Sequence, residues 1–202
     1  MGVINRMIKA STDWGMRMQP RTAERVSDEY LYAAPRFRDQ VSAIRDAGAL
    51  LVQSGMAPSI GGGGIAVRRS AKTTAVTSPG ANLGAIDNRH LTTVEVGDPR
   101  FPALTAIRAG AETAVWAFPS SLLALAHAGV GIEPVSADLA ILTGTVLMID
   151  SLEDAGPGLS VIRGRGVVSG ADDVGQAVTR IQAGEALAWM TIVVTTLRRS
   201  NG

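Results

Sequence analysis

The side chains and main-chain groups with chemical reach lie in a few short stretches. Gly61-Gly62-Gly63-Gly64 leads into a β-rich run from Ile65 to Arg68. Glycine lets a ligand approach the backbone and tolerates positive φ, so successive N–H groups of such a run can cradle a phosphate or carboxylate. The alternative is a pliable lead into a hairpin. No Gly-Lys-Ser/Thr follows, so it is not a P-loop, and it lacks the dinucleotide fingerprint. Thr77, Ser78 and Gly80 bring two hydroxyls and an amide in Thr77-Ser78-Pro79-Gly80, a composition that also makes plain turns. Arg68 follows Ile65 and Val67 on the strand and is either an anion contact or the solvated side of that strand. Arg165 lies between Gly164 and Gly166, where a backbone can approach a ligand. A salt bridge to a neighbouring subunit would explain it equally well. Asp98, between Gly97 and Pro99, is placed to act as a base or to initiate a turn.

What is scarce narrows the chemistry further. The 202 residues contain no cysteine, which removes disulfides, thiolate metal sites, iron–sulfur clusters and cysteine nucleophiles. Histidine occurs only at His90 and His127; His90 reads as a surface residue beside Asp87 and Arg89, His127 as a packed or edge residue on an alanine-rich helix. Lysine occurs only at Lys9 and Lys72, neither in an apolar stretch that would suit Schiff-base chemistry. The basic residues are therefore nearly all arginine, which favours fixed anion contacts over proton transfer. Net charge is +1 and aromatics are 4%, so neither nucleic acid nor an anionic membrane surface is an expected partner. The segment Met1 to Met18 is interrupted by Arg6, Lys9, Asp13 and Arg17 and has no secretory h-region, and a cytoplasmic protein is expected.

These groups need a scaffold, and 46% hydrophobic residues supply a core for one full-size domain. Residues 1–34 read as an N-terminal arm, with a short helix around Thr22 to Tyr30 and with Trp14, Tyr30 and Tyr32 as anchors; residues 35–202 read as a single domain. From Phe37, the spacing Val41, Ile44, Ala47, Leu51 predicts a helix that stops at Gly55. Strands are expected at Ile65 to Arg68 and Thr73 to Thr77, with β-rich sequence from His90 to Val96. A helix follows over Phe101 to Ala109, then a buried strand over Thr113 to Phe118 and a helix over Ser120 to Ala128 capped by Ser120 or Ser121. Leu139 to Ile149, too short to span a bilayer, reads as a buried strand. Two more strands are expected at Leu159 to Ile162 and Gly166 to Ser169. A closing helix places Val174, Ala177, Ile181, Ala188, Val194 and Leu197 near one face, with Ser169 and Asp172 as cap candidates. Its apolar Trp189 to Val194 segment predicts burial against the sheet or a partner subunit.

The order of these segments, from Phe37 to Leu197, resembles the class II aldolase/adducin family. Gly63-Gly64-Ile65-Ala66-Val67-Arg68 stands where the family has G-N-x-S-x-R, and Val76-Thr77-Ser78-Pro79-Gly80 stands at its T-P-S-G-like turn. Ala114-Val115-Trp116-Ala117-Phe118-Pro119 stands at its A-V-V-H-T-H strand, and Gly164-Arg165-Gly166 at its N-H-G. The resemblance implies a three-layer αβα fold with a central, mostly antiparallel or mixed sheet. It also implies homo-oligomers, commonly tetramers with sites at subunit borders. Relatives hold a divalent metal on the three histidines of these motifs. Here those positions are Ala117, Pro119 and Arg165, none of which offers a metal a lone pair. No metal or other cofactor is therefore expected. An ordinary metal site would instead need His90 and His127 to meet.

The implied activity is metal-independent carbonyl chemistry, of lyase, dehydratase or isomerase type, on a small phosphorylated or carboxylated metabolite. Arg165 and Asp98 are the implied catalytic groups. Gly62, Gly63, Gly64, Arg68, Thr77, Ser78 and Gly80 would hold the anion, and Trp116, Ala117 and Pro119 would line the pocket. Trp116 is otherwise a core residue. The competing expectation is a non-catalytic oligomeric scaffold or ligand-binding module of the adducin kind.

Overall fold

The computed structural model describes residues 35–58 and 62–200, so the expected arm, its helix and its aromatic anchors lie outside the described residues, as does Gly61. The order of elements is α1 (Pro35–Gln53), β1 (Gly64–Arg68), β2 (Thr73–Thr77), β3 (Leu91–Glu95), α2 (Leu104–Arg108), β4 (Thr113–Ala117), α3 (Ser120–Ala128), α4 (Ala137–Thr143), β5 (Val146–Ile149), β6 (Leu159–Ile162), β7 (Gly166–Ala171) and α5 (Val174–Ser200). Short 3-10 turns stand at Leu83–Ala85, Asn88–His90 and Leu152–Asp154.

The strands form one seven-stranded sheet in the order β3-β2-β1-β4-β7-β6-β5. Every neighbouring pair is antiparallel except β5 with β6, which is parallel. The two faces follow from strict alternation along the strands. Ile65, Val67, Ala75, Val115, Ala117, Val161 and Val167 point to one core, where Val41, Ile44, Ala47 and Leu51 of α1 and Ala177, Val178, Ile181 and Ala188 of α5 pack. Ala66, Val76, Ala114, Val168 and Ile162 point to the other, covered by Leu104, Ala106 and Ile107 of α2 with Phe101, Trp116 and Leu152 at its margin. Most of these side chains are almost fully buried, each worth roughly 1.5–3 kcal/mol for a large aliphatic group. The layering is lopsided: long helices fill one face, while the five-residue α2 is the only helix packed on the other among the described residues.

Several local expectations are corrected. The apolar run Leu139 to Ile149 is not one buried strand but α4, a turn at Gly144 with φ +69°, and the edge strand β5. Ser136 opens α4 by accepting a hydrogen bond from the Leu139 amide, and Ile141 is 78% exposed. Helical propensity after a good cap outweighed the continuity of the apolar run. Neither Ser120 nor Ser121 caps α3. The Glu185 carboxylate does so instead, accepting from the Ser121 and Leu122 amides at 2.8 and 2.9 Å. Asp173, not Asp172, caps α5 through the Gln176 amide at 2.7 Å, while Ser169 is a buried residue of β7. Trp189 and Leu197 of α5 are 59% and 57% exposed, so of the two expectations for the Trp189 to Val194 segment, sheet or partner subunit, Trp189 does not meet the first, and Leu197 is not on the buried face expected for it.

Candidate functional site

One end of the sheet gathers most of the sequence-predicted groups. Antiparallel pairing brings the start of β1, the end of β2, the end of β4 and the start of β7 to the same rim. The registers are Gly64 with Trp116, Ala66 with Val76, and Ala117 with Val167. At the start of β1, Thr77 Oγ1 accepts the Ile65 amide at 3.0 Å, fixing the hydroxyl beneath Gly64. The Ser78 amide bonds the His90 carbonyl at 2.7 Å, and the Ala81 amide returns to the Ser78 carbonyl. With Pro79 second and Gly80 third at φ +79°, this is a type II turn.

The glycine run is held close rather than loose. A Cβ on Gly63, whose φ is +89°, would lie 2.9 Å from both the Trp116 carbonyl oxygen and Leu83 Cδ1. A Cβ on Gly62 would run into the Pro58 ring. Glycine is thus required here for packing, whatever else it does. Among the described residues the Gly62 and Gly63 amides and the Ser78 hydroxyl have no hydrogen-bond partner, so each remains a donor for a ligand.

Across β4, the β6–β7 connection is a three-residue loop, Arg163-Gly164-Arg165, with Gly164 left-handed at φ +70° and the Arg165 amide bonded to the Ile162 carbonyl. Gly166 lies against the Trp116 ring and the Ala117 carbonyl, so the ends of β4 and β7 adjoin and Ala117, Pro119 and Arg165 belong to one neighbourhood. Trp116 meets Phe118 edge-on, with ring centroids 5.8 Å apart. The Arg165 side chain is exposed, makes no ion pair among the described residues, and lines a crevice of about 310 Å³ on the α2 face.

Two expected residues are not brought to this rim. Arg68 ends β1 at the opposite end of the sheet, about 13 Å along the strand from Gly64. There it donates to the Ile107 and Ala111 carbonyls, the latter at 3.2 Å, and faces Glu112 at 3.4 Å, tying down the C-terminus of α2. Asp98 follows β3 and is closed on itself. Its carboxylate accepts the Arg100 amide at 3.0 Å and the Arg100 guanidinium at 2.5 to 3.1 Å. Those side-chain hydrogen bonds from Arg100 hold its pKa below the usual carboxylate range, against a smaller opposing effect of burial, which makes it a weak base. Its neighbours Pro99 and Phe101 line the Arg165 crevice, but Asp98 does not.

The fold has solved counterparts. An L-fuculose-1-phosphate aldolase from Thermus thermophilus matches over 82% of this chain and 99% of its own, with TM-score 0.66 at 17% identity. A sugar-phosphate aldolase from Thermotoga maritima matches over 80% of this chain and 97% of its own, with TM-score 0.59 at 15% identity. An aldolase II superfamily protein from Pseudomonas syringae matches over 80% and 77%, with TM-score 0.64 at 14% identity. The fold is that of the class II aldolases. No protein-family model matches the sequence, and no curated protein matches it.

The class II aldolase fold implies a divalent metal, and the residues present do not fit one. Among the described residues no group of three or more His, Cys, Asp or Glu side chains could hold an ion. Alanine and proline side chains at 117 and 119 offer no donor atom, and the guanidinium of Arg165 would repel a cation. His90 is occupied locally, its Nδ1 accepting the Asp87 amide at 3.1 Å, and His127 is exposed on α3. Sequence reasoning missed Glu185, which sets the rim by clamping the N-terminus of α3 just after Pro119. Its partner lies 64 residues earlier in the chain, and no local pattern signals a cap at that separation. It also missed Arg108, which shares the crevice with Arg165.

Proposed function

We propose that this chain carries out carbonyl chemistry of lyase, dehydratase or isomerase type on a small anionic metabolite, without a divalent metal. The observation that supports the reading is the exposed Arg165 side chain, unpaired among the described residues, in the loop that enters β7 beside the end of β4, a strand end whose Ala117, like Pro119 after it, supplies no metal ligand. The Gly62 and Gly63 amides with the Ser78 and Thr77 hydroxyls would hold a phosphate or carboxylate of the substrate. A guanidinium next to a carbonyl or enolate oxygen stabilises developing negative charge through paired N–H donors. It lacks the charge density and inner-sphere contact of a divalent ion, so metal-type aldol cleavage should be weak. Turnover of a panel of ketose phosphates, aldose phosphates and 2-oxo acids, measured before and after exhaustive chelation, tests the reading. Activity unchanged by chelation is expected; activity lost and restored by one metal alone overturns it.

A second reading, an oligomeric scaffold without catalysis, is favoured by one feature. Ile141 and Leu142 of α4 and Trp189 and Leu197 of α5 are all more than half exposed on neighbouring helices. Large apolar side chains left exposed on adjoining helices are a feature of contact surfaces. Both readings share the proposal that this chain self-associates, and the occupant of that face is a second copy of it. Sedimentation at micromolar concentration is expected to show an oligomer that Trp189→Arg dissociates. A monomeric parent would remove the proposal. Among the described residues no helix is long and apolar enough to cross a membrane.

A further inference from the structure

The crevice beside Arg165 carries chemistry that the rim does not use. It is lined by Phe101, Thr105, Arg108, Asp150, Glu153 and Arg165, and its volume of about 310 Å³ suits a small metabolite. Its two guanidiniums come from distant parts of the chain, Arg108 from the end of α2 and Arg165 from the β6–β7 loop. Arg108 spends one contact on Thr105 Oγ1, at 3.3 Å, and Arg165 spends none among the described residues. Of the two carboxylates, Asp150 faces Arg163 Nε at 3.3 Å, whereas the Glu153 carboxylate makes no bond among the described residues. Positive charge in the crevice is thus joined by an acceptor with no bond among the described residues. A bare inorganic anion would meet Glu153 with repulsion. A carboxylate carrying an adjacent hydroxyl satisfies both, with the carboxylate on Arg108 and the hydroxyl donating to Glu153, which leaves Arg165 to the reacting oxygen. Phe101 and Leu152, packed at the margin of the core, give its carbon atoms an apolar floor.

We propose that this crevice binds the hydroxy-carboxylate end of the substrate, with Arg108 as the residue that recognises it and Glu153 as the hydroxyl acceptor. The substrate class is thereby a hydroxy acid bearing a second anionic group. This rests on the reading of the rim as an anion site, because the second group is the one held by Gly62, Gly63 and Ser78. β1, β4 and β7 are consecutive, so the glycine run and the Arg165 backbone, where the crevice begins, stand about two strand spacings, or roughly 10 Å, apart. Arg108 and Glu153 reach into the same crevice from beyond it. That separation is close to the extended length of a three- or four-carbon acid phosphate.

Calorimetric titration with 3-phosphoglycerate and with glycerol 3-phosphate tests it, since the two share a phosphate and differ in the carboxylate. The parent protein is expected to bind 3-phosphoglycerate at least about tenfold more tightly, and Arg108→Gln to reduce that preference below about twofold. Arg108 is exposed, and an unchanged melting temperature checks that the variant is folded. Equal affinities in the parent overturn this inference while leaving the rim reading intact. A preference that survives in Arg108→Gln overturns the role of Arg108. If neither compound binds, the rim reading fails first and the inference falls with it.

Discussion

Gly166→Ala is expected to lower the stability of the protein by roughly 2–5 kcal/mol. Two costs add. The φ of +147° at Gly166 is a conformation that side chains with a Cβ rarely adopt. The new methyl would also sit 2.9 Å from Trp116 Cζ2 and 3.1 Å from the Ala117 carbonyl oxygen, neither of which can retreat easily from a core strand. Urea denaturation of the variant beside Gly97→Ala supplies the comparison. A Cβ at Gly97 meets nothing within 4 Å and needs no positive φ, so that change should stay within about 0.5 kcal/mol of the parent. A Gly166→Ala protein as stable as the Gly97→Ala one would show that the ends of β4 and β7 do not meet as described.

Arg165→Gln carries the largest functional expectation. If the guanidinium provides the positive charge at the site, its removal should reduce kcat/KM on the panel substrate by roughly 10²- to 10³-fold. The fold should not suffer, because the side chain is exposed and bonds to nothing among the described residues; stability is expected within about 0.5 kcal/mol of the parent. Arg165→Lys should recover part of the loss, since it restores charge without the planar pair of donors. A glutamine variant with undiminished turnover would remove Arg165 from the chemistry and leave the rim glycines without a catalytic partner.

Much of the fold was legible in the sequence. Val41, Ile44, Ala47 and Leu51 recur at helical spacing and are the buried face of α1. The strands expected at Ile65 to Arg68 and Thr73 to Thr77 pair as an antiparallel hairpin. One misreading has a local cause, which is that an apolar run has no period to separate strand from helix. Leu139 to Ile149 offered none, and the decision lay with Ser136 and Gly144, one capping α4 and the other ending it. Trp189 and Leu197 are apolar but exposed, because what a helix face buries depends on which elements reach it.

The linear order of residues was enough to set the chemical inventory: no thiols, two imidazoles, an arginine-rich set of cations and a glycine run. Composition and local spacing suffice for such things because they are properties of single residues and near neighbours. Which members of the inventory meet was settled by folding alone. Antiparallel pairing carried Gly63, Ser78 and Arg165 to one rim and sent Arg68 to the far end of the same sheet. Hydrogen bonds to Arg100 closed Asp98 on itself, and Glu185 reached back 64 residues to fix α3. Those outcomes depend on strand order and on contacts between distant segments, for which a linear pattern holds no signal.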